Sequence, residues 1–310
     1  MSLINSSKTI FNHLVSEITS VYEENEAKSI VYLLLEHYLN LSRTDVLLDN
    51  SVSKSFDFQD IIIRLKMQEP VQYIIGETEF YGRKFKVTPD TLIPRPETEE
   101  LVQLIINSFR SGSELLSDRN WQSEIGDEDN SFNSSASNSK PLISILDMGT
   151  GSGCIAISLA CELPNAQVCA YDISEEALKV AKENAKKNSA NVNFEKVDIL
   201  NFPPSSFPLF SIIVSNPPYV MNIEKLKMEQ NVLDYEPHLA LFVEDSNPLI
   251  FYKAITEFAY KNLTTRGLCF VEVNQAFGLE TAELFWDQGF RYVEVVKDMF
   301  GKDRMVKAIK

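Results

Sequence analysis

One short segment combines hydrogen-bond acceptors with an aromatic ring. The apolar run "FSIIVS" is followed by Asn216, Pro217, Pro218 and Tyr219. Two successive prolines hold the backbone rigid and extended and donate no N–H, so the carbonyls left there can only accept. The Asn216 carboxamide oxygen is a second acceptor, and the Tyr219 ring offers a flat face for stacking on a planar group. The combination favours a planar –NH2 substrate, although the same residues can also form a purely structural turn.

The chemistry that suits such a site is methyl transfer to an amide or exocyclic amine nitrogen. The lone pair of that nitrogen is delocalised, so the nitrogen is a poor nucleophile. If Asn216 Oδ1 and the Pro217 carbonyl accept both of its hydrogens, the lone pair points at the methyl donor and charge build-up on nitrogen is favoured. No strong general base is needed if the proton leaves after the transfer. We therefore predict that Asn216, Pro217 and Tyr219 are catalytic and that, with Pro218, they bind the substrate.

A glycine-rich turn lies between a predicted strand and a predicted helix in "LDMGTGSGC". Glycines there permit a tight turn and let a ligand approach bare backbone. The dinucleotide fingerprint GxGxxG needs a third glycine where this chain has Cys154. The GxGxG spacing suits S-adenosylmethionine, which carries no phosphate, and a purely structural turn is the alternative. The predicted contacts in the turn are Gly149, Thr150, Gly151, Ser152 and Gly153.

Three aspartates lie at the ends of predicted strands. Asp172 follows the glycine turn by roughly 20 residues, where a carboxylate meets ribose hydroxyls in dinucleotide-like folds; a helix cap or surface acid is the alternative. Asp147 precedes the turn and is expected to help hold the ammonium or sulfonium side of the ligand. Asp198 ends the third strand and is a candidate for the adenine amine, with a strand-end turn residue as the alternative.

The elements that must position these residues alternate between strands and helices. Strands are predicted at "LISILDM", "AQVCAYDI", "VNFEKVDI", "FSIIVS" and "LCFVEVN", with a closing β-pair at "YVEVVKD" and "RMVKAIK". Helices are predicted at "CIAISLACEL", Ser174 to Lys187, about Pro248 to Leu263 and about Leu279 to Gln288, with Ser174 as an N-cap. The alternation predicts an α/β fold with a mostly parallel sheet between two helical layers. The candidate site then lies at the carboxyl ends of the strands.

The part of the chain that precedes this alternation shows a different spacing of apolar residues. Apolar residues recur on one helical face in Lys8–Tyr22 and Ala27–Leu41, and a third helix is plausible at Asp57–Met67. "ETEFYGRKFKVTPD" alternates around Gly82, which predicts a β-hairpin, and a helix is expected to begin at Thr98 or its neighbours.

These signals divide the chain into three parts. We predict a helical substrate-recognition domain at residues 1–75, a hairpin linker at 76–97 and a catalytic domain at 98–310. Residues 111–140 are rich in Ser, Asn and Asp and show little periodicity. Such a composition predicts a disordered surface insertion within the catalytic domain.

Composition narrows the classes of partner. The 310-residue chain has a formal net charge of −15, which argues against a broad nucleic-acid footprint because phosphate binding rests on clustered Lys and Arg. No apolar run approaches the roughly 20 residues that span a bilayer. The four cysteines form no CxxC pair and are expected to be buried, reduced thiols, and the three histidines are too scattered for a zinc site. We expect a monomer with no metal, no direct nucleic-acid partner and no membrane association.

Taken together, the motifs resemble those of the HemK/PrmC protein-glutamine methyltransferases, which modify peptide-chain release factors. The resemblance covers about Ala27 to Ile309, interrupted by the Ser/Asn-rich insertion. It is carried by "EPVQYIIGETEFYGRKFKVTPDTLIPRPETEELV", "ILDMGTGSGCIAISLA", "AYDISEEALKVAKENA", "IVSNPPYV", "YEPHLAL" and "DMFGKDRMVKA". The "PRPETE" stretch together with "NPPY" is far more specific to this family than "NPPY" alone.

The resemblance implies a Rossmann-like class I methyltransferase domain with a seven-stranded sheet, preceded by a small helical domain and a β-hairpin linker. It implies transfer of a methyl group from S-adenosyl-L-methionine to the side-chain amide nitrogen of the glutamine in the Gly-Gly-Gln motif of a class 1 release factor. By position, the resemblance implies that the glycine turn and Asp172 contact the donor. It implies that Asn216 contacts both the donor and the substrate glutamine. Ile199 lies where the family packs an apolar side chain near the adenine. Arg95 and Glu97 lie in the family signature, where they either support the site or tie the hairpin to the catalytic domain.

Some segments depart from the family pattern. "EVNQAFG" replaces the usual glycine after the fifth strand, and "FVEDSNPLIFY" lacks the family's usual glycines. The long insertion is atypical and suggests a eukaryotic source, and "MSLINSSKTIFNHLV" faintly resembles a transit peptide. These features predict a mitochondrial-type enzyme located in the mitochondrion, with the cytoplasm as the alternative.

Two other classes of methyltransferase, and one non-enzyme, compete with this reading. An N6-adenine DNA methyltransferase or an N2-guanine rRNA methyltransferase also acts on a planar –NH2 group. Such an enzyme needs a basic groove to hold a flipped base, and the net charge of −15 opposes this. A binding module that has lost catalysis would show an eroded site, whereas the glycine turn, Asp172 and the "NPPY" segment are intact.

Overall fold

Short helices build the N-terminal part of the molecule. The structure is a computed structural model that describes residues 6–115 (side chains as far as 109), 143–202 and 207–310. The helices are α1 (Ser7–Ile18), α2 (Glu24–Leu34, extended by a π-helical turn over Leu35–Leu39), α3 (Arg43–Leu47), α4 (Gln59–Lys66) and α5 (Val71–Ile75). Their apolar faces meet in one buried core. The three predicted helices are present; α1 and α2 each begin and end before their predicted bounds, and α4 is shorter than predicted at both ends. α3 and α5 are too short to show a helical period.

The predicted hairpin connects this helical part to the sheet. Strands β1 (Glu77–Phe80) and β2 (Arg83–Lys86) pair antiparallel. The two residues between them, Tyr81 and Gly82, have φ angles of 50° and 68°, as a tight two-residue hairpin turn requires.

The next helix, α6 (Pro96–Leu115), begins with Pro96, and a first helical position suits proline because its missing N–H has no partner there. The backbone of α6 continues through residues 111–115, which the sequence had assigned to the insertion. The rest of that predicted insertion, residues 116–140, lies outside the described residues.

A seven-stranded sheet forms the centre of the remaining chain. Its strands are β3 (Ile143–Met148), β4 (Ala166–Asp172), β5 (Val192–Lys196), β6 (Phe210–Ser215), β9 (Leu263–Glu272), β10 (Tyr292–Lys297) and β11 (Asp303–Ile309). The order is β10-β11-β9-β6-β3-β4-β5. The five strands from β9 to β5 run parallel, and β10 and β11 pair antiparallel at one edge. The predicted α/β fold with a mostly parallel sheet is confirmed.

Helices pack on both faces of the sheet, and the sheet separates two buried cores. They are α6, α7 (Cys154–Glu162), α8 (Glu175–Lys187), α11 (Ile250–Asn262) and α12 (Gly278–Gln288). Ser174 caps α8 as predicted, since its side chain accepts from the backbone N–H of Ala177 at 3.1 Å. The connection after β6 holds elements that the sequence did not predict: β7 (Val220–Met221), a 3₁₀ helix (Asn222–Lys227), α9 (Gln230–Tyr235), α10 (His238–Leu241) and β8 (Phe242–Val243).

The strand order determines where a site can form. β3 lies between β4 and β6, so β4 and β5 are added on one side of β3 and the chain then crosses to add β6 and β9 on the other. A crevice opens at such a switch point beyond the carboxyl ends of the strands. Across the described ranges, no helix is both long and apolar enough to cross a membrane. Nor do His, Cys, Asp and Glu side chains gather there into a group that could hold a metal ion.

Candidate active site

The glycine turn connects β3 to α7 in a conformation that only glycine adopts easily. Gly149, Gly151 and Gly153 have φ angles of 75°, 55° and 83°, in the left-handed region. A Cβ at Gly153 would lie 2.8 Å from Ile157 Cδ1, so this glycine lets the turn pack on its own helix. A Cβ at Gly151 would meet no atom within 4 Å. The turn is therefore closed towards the protein at Gly153 and open to a ligand at Gly151.

Asp172 binds the open part of this turn. Its Oδ2 accepts from the backbone N–H of Gly151 at 2.8 Å, and its Oδ1 accepts from that of Ser174 at 2.9 Å. The side chain is almost buried, and burial raises the pKa of Asp172 although both N–H groups lower it. The carboxylate thus joins the turn to the start of α8. Each oxygen retains a lone pair, so binding of ribose hydroxyls is compatible with this structural role and stays a prediction.

Asp147 is a fully buried acid beneath the turn. Its Oδ2 accepts from Thr150 Oγ1 at 2.7 Å and from the backbone N–H of Ala156 at 3.2 Å. Its Oδ1 has no hydrogen-bond partner among the described residues. Burial raises the pKa of Asp147 to about 7. A buried acceptor without a partner is costly, and a cationic ligand group, such as the ammonium of a bound methionine tail, would satisfy it.

Asp198 and Ile199 follow β5 near the same turn. Ile199 is buried, and its Cδ1 would lie 3.8 Å from a Cβ at Gly149. This side chain therefore packs against the turn, as an apolar wall for the ligand requires. Asp198 Oδ1 accepts from the backbone N–H of Leu200 at 2.9 Å and Oδ2 accepts from Asn201 Nδ2 at 2.8 Å. Asp198 stabilises a turn in this structure, and its contact with adenine stays a prediction.

The "NPPY" segment lies beside the glycine turn. Met148 and Ser215, the last residues of the parallel strands β3 and β6, are register partners. Ser215 Oγ also donates to the Met148 carbonyl at 2.6 Å. Gly149 and Asn216, the next residue of each strand, therefore emerge side by side at the carboxyl edge of the sheet. The structure thus brings the two predicted halves of the site together.

A buried carboxylate that the sequence analysis missed organises the substrate half. Glu272 ends β9 and is 1% exposed. Its Oε2 accepts from Thr98 Oγ1 at 2.7 Å, and its Oε1 accepts from the Tyr219 hydroxyl at 3.0 Å. Thr98 Oγ1 in turn accepts from Asn216 Nδ2 at 3.1 Å. One acid therefore holds both predicted substrate-binding side chains.

The environment of Glu272 is mixed in charge. Burial raises the pKa of Glu272 most, and the Glu97 charge raises it too, while Thr98, Tyr219 and the Arg304 charge lower it. The one signal available in the sequence was an acid at the end of the apolar strand "LCFVEV". Acids rarely occupy such strands unless they are paired. Its partner Thr98 lies 174 positions away in the chain, and no local pattern connects the two.

The Tyr219 ring is fixed at both ends. Its hydroxyl donates to Glu272, and its backbone carbonyl accepts from Asn274 Nδ2 at 3.3 Å. The ring packs against the core on one side of the sheet. Burial and the Glu272 charge raise the pKa of Tyr219 well above its ordinary value, so the hydroxyl stays neutral. Tyr219 therefore offers a stationary ring rather than a titrating group.

Arg95 takes part in an interdomain connection. Its Nη2 lies 2.5 Å from Oε1 of Glu236, and Glu236 Oε2 accepts from the backbone N–H of Ile93 at 3.3 Å. The adjacent Tyr235 hydroxyl donates to the carbonyl of Met67, which directly follows α4. The "YEPH" segment thus joins the loop before α6 to the helical part. This favours the tying role for Arg95, whereas Glu97 lies in the first turn of α6, where an acid suits the helix dipole.

Two family models match parts of this chain. Residues 10–76 match the model described as the PrmC N-terminal domain. Residues 139–272 match one described as a methyltransferase domain. The second match includes the glycine turn, Asn216 and Glu272.

Similar proteins match along nearly the whole chain. A release factor glutamine methyltransferase of Flavobacterium psychrophilum is 43% identical over 98% of this chain and 98% of its own length. The protein of the same name from Bacteroides thetaiotaomicron is 40% identical over 96% of this chain and 97% of its own. That of Streptococcus pneumoniae is 37% identical over 96% of each.

These relatives correct one set of predictions. All three are bacterial, so the predicted mitochondrial location is wrong, and neither the mitochondrial branch nor a eukaryotic source is supported. The cytoplasmic alternative fits the bacterial relatives. The error came from the Ser/Asn-rich segment, because insertion length and composition are poorly constrained by the fold: each doubling of a loop costs only about 0.6 kcal/mol of closure entropy.

Proposed function

Since the chain belongs to the release factor glutamine methyltransferase family, we propose that it methylates the glutamine of the Gly-Gly-Gln motif in a class 1 peptide-chain release factor. The enzyme is an S-adenosylmethionine-dependent protein-glutamine methyltransferase. The observation that carries the proposal is the register of Met148 with Ser215. It sets the open glycine turn next to Asn216, so a donor methyl and a substrate amide can meet at one edge of the sheet.

The donor half fits S-adenosylmethionine. This compound supplies a methyl group on a sulfonium, which makes the methyl electrophilic. Asp147 Oδ1 is a buried acceptor without a partner in the described structure, and it suits the ammonium of the methionine tail. The open backbone at Gly151 and the nearby Asp172 carboxylate suit the ribose. Ile199 provides the apolar contact for a flat base.

The substrate half fits a primary amide. We assign Asn216 Oδ1 and the Pro217 carbonyl as acceptors for the two amide hydrogens, with the Tyr219 ring beside the amide plane. Two acceptors restrain the nitrogen and stabilise positive charge that develops on it. The new N–C bond forms as the S–C bond breaks, the bonding pair stays on sulfur, and one amide proton is then released to water. No oxidant or reductant is needed.

A nucleic-acid substrate is less well supported. The relatives are named as glutamine methyltransferases, and a net charge of −15 repels a phosphate backbone. The same charge favours a protein substrate with a basic surface around its Gly-Gly-Gln loop.

The proposal is tested by methyl transfer to a purified bacterial class 1 release factor. Labelled S-adenosylmethionine is incubated with the enzyme and either the intact factor or its Gly-Gly-Ala variant, with duplex DNA in a third reaction. We expect label on the intact factor alone, at the glutamine amide by mass spectrometry of the peptide. Equal labelling of both factors, or label on DNA, would contradict the proposal.

A further inference from the structure

We propose that Glu272 is a positioning residue: acting through the Thr98 hydroxyl, it determines which end of the Asn216 carboxamide faces the substrate. The proposal rests on the proposed function, since it concerns how the amide acceptor of that reaction is oriented. Neither Glu272 nor Thr98 is needed to contact the substrate for this role.

The three side chains form a continuous path of hydrogen bonds. Glu272 Oε2 lies 2.7 Å from Thr98 Oγ1, and Thr98 Oγ1 lies 3.1 Å from Asn216 Nδ2. Glu272 and Thr98 are 1% and 2% exposed, so water does not substitute for either partner. The path starts on β9, crosses the first turn of α6 and ends after β6. It therefore depends on three elements that are distant in sequence.

While Glu272 is ionised, the order of donors along this path has one solution. A carboxylate can only accept, so Thr98 must give its one hydroxyl hydrogen to Glu272. Thr98 Oγ1 is then left only as an acceptor towards Asn216. The carboxamide must therefore turn its –NH2 group to Thr98, which leaves Oδ1 directed away.

The free Oδ1 is what the reaction requires. A substrate amide presents two hydrogens and needs acceptors, so an inward –NH2 at Asn216 would set donor against donor. Glu272→Gln would remove the requirement that Thr98 donates to position 272, because the new –NH2 group could donate to Thr98 Oγ1. Thr98 could then donate to Asn216 Oδ1 and stabilise the reversed carboxamide. Glu272 also holds the Tyr219 hydroxyl at 3.0 Å, so one anchor sets both the acceptor and the ring.

The test compares Thr98→Val, Thr98→Ser and Glu272→Gln with the wild type, using the release factor as methyl acceptor. Valine keeps the shape of threonine but has no hydroxyl, whereas serine keeps the hydroxyl. We expect Thr98→Val and Glu272→Gln to lower kcat about 100-fold, as small misplacements in a site can. Thr98→Ser should retain most of the turnover. The Kd for S-adenosylmethionine, measured by calorimetry, should change less than about threefold, because the glycine turn, Asp147 and Asp172 lie outside the path.

Thr281→Val is the matched control. Thr281 is also buried, but its hydroxyl has no partner among the described residues, so kcat should be unchanged. The proposal fails if Thr98→Val keeps wild-type turnover, or if Thr98→Ser is as impaired as Thr98→Val. It also fails if Thr98→Val weakens donor binding as strongly as it lowers kcat, since the hydroxyl would then support the donor half rather than the amide. An inactive wild type would instead contradict the proposed function.

Discussion

Arg95 and Glu236, which are 141 positions apart, form an ion pair in which Nη2 and Oε1 are 2.5 Å apart. The Glu236 side chain is 1% exposed and that of Arg95 is 36% exposed. The pair connects the loop before α6 to the segment that follows α9. Within the described residues, Arg95 is the one cation that pairs with the buried Glu236 carboxylate, so the pair stabilises that charge.

Arg95→Ala should therefore destabilise the protein. The change leaves Glu236 buried and short of one partner, and we expect a loss of about 2–3 kcal/mol in the free energy of unfolding, since one partner reaches solvent. Urea denaturation followed by circular dichroism measures it. Lys28→Ala is the control: it breaks the exposed pair with Glu24 and should cost less than about 1 kcal/mol. Equal losses in the two variants would rule out the tying role of Arg95.

Substitutions in the substrate half and in the donor half of the site should affect different constants, kcat in the first case and the donor Kd in the second. Asn216→Ala removes an acceptor that acts on the developing charge, and we expect kcat to fall about 100-fold or more with little change in the Kd for S-adenosylmethionine. Asp172→Ala should instead raise that Kd roughly tenfold or more. It should also lower the thermal midpoint, because the N–H groups of Gly151 and Ser174 lose their acceptor.

Steady-state kinetics with the release factor, together with calorimetric titration of the donor, distinguishes these effects. A large change in donor Kd for Asn216→Ala, or an unchanged Kd for Asp172→Ala, would contradict the assignment of the halves.

Alanine substitutions in the glycine turn should separate ligand binding from stability. Gly151→Ala meets no atom within 4 Å, so it should cost only about 1 kcal/mol for its left-handed backbone while obstructing the donor. Gly153→Ala has the same backbone cost and also places Cβ 2.8 Å from Ile157 Cδ1 and 3.1 Å from Ala181 Cβ. It should be the less stable of the two.

Thermal unfolding without ligand ranks the stabilities, and calorimetry gives the donor Kd. A Gly151→Ala variant that binds the donor as tightly as the wild type would show that the open side of the turn is not the ligand side.

Asp147 should make the ligand-free protein less stable as pH rises. Burial raises the pKa of Asp147 to about 7, above the value of an unfolded aspartate near 4. The folded state thus binds more protons over that interval, and stability falls from about pH 4 to about pH 7. The fall is on the order of 4 kcal/mol at most, taking about 1.4 kcal/mol for each tenfold change in proton affinity.

Asp147→Asn removes this titration, so the difference in stability between variant and wild type should grow with pH and level off above pH 7. Denaturation curves at several pH values measure it. Glu183→Gln, at an exposed residue, serves as a control. A constant difference between Asp147→Asn and the wild type across this range would show that Asp147 stays ionised.

Local patterns determined the elements of this protein and the residues that end them. Alternation of apolar runs with helical periods predicted all seven strands of the sheet and the helices that pack on it. The glycine turn, Asp172 and the "NPPY" segment stand out because their backbone and hydrogen-bonding properties are unusual for strand ends. Short elements such as α9 and α10 show no period, and they form because tertiary contacts favour them.

Only the tertiary structure decided how these residues work together. Register between β3 and β6 set Gly149 beside Asn216, and the place of β9 next to β6 brought Glu272 beneath them. Thr98 reaches the same carboxylate from a helix 174 positions away in the chain. A sequence lists which side chains can donate or accept, because that is fixed by residue type. Which of them are partners depends on strand order and burial, because these exclude water and leave each polar group only the neighbours that the fold provides.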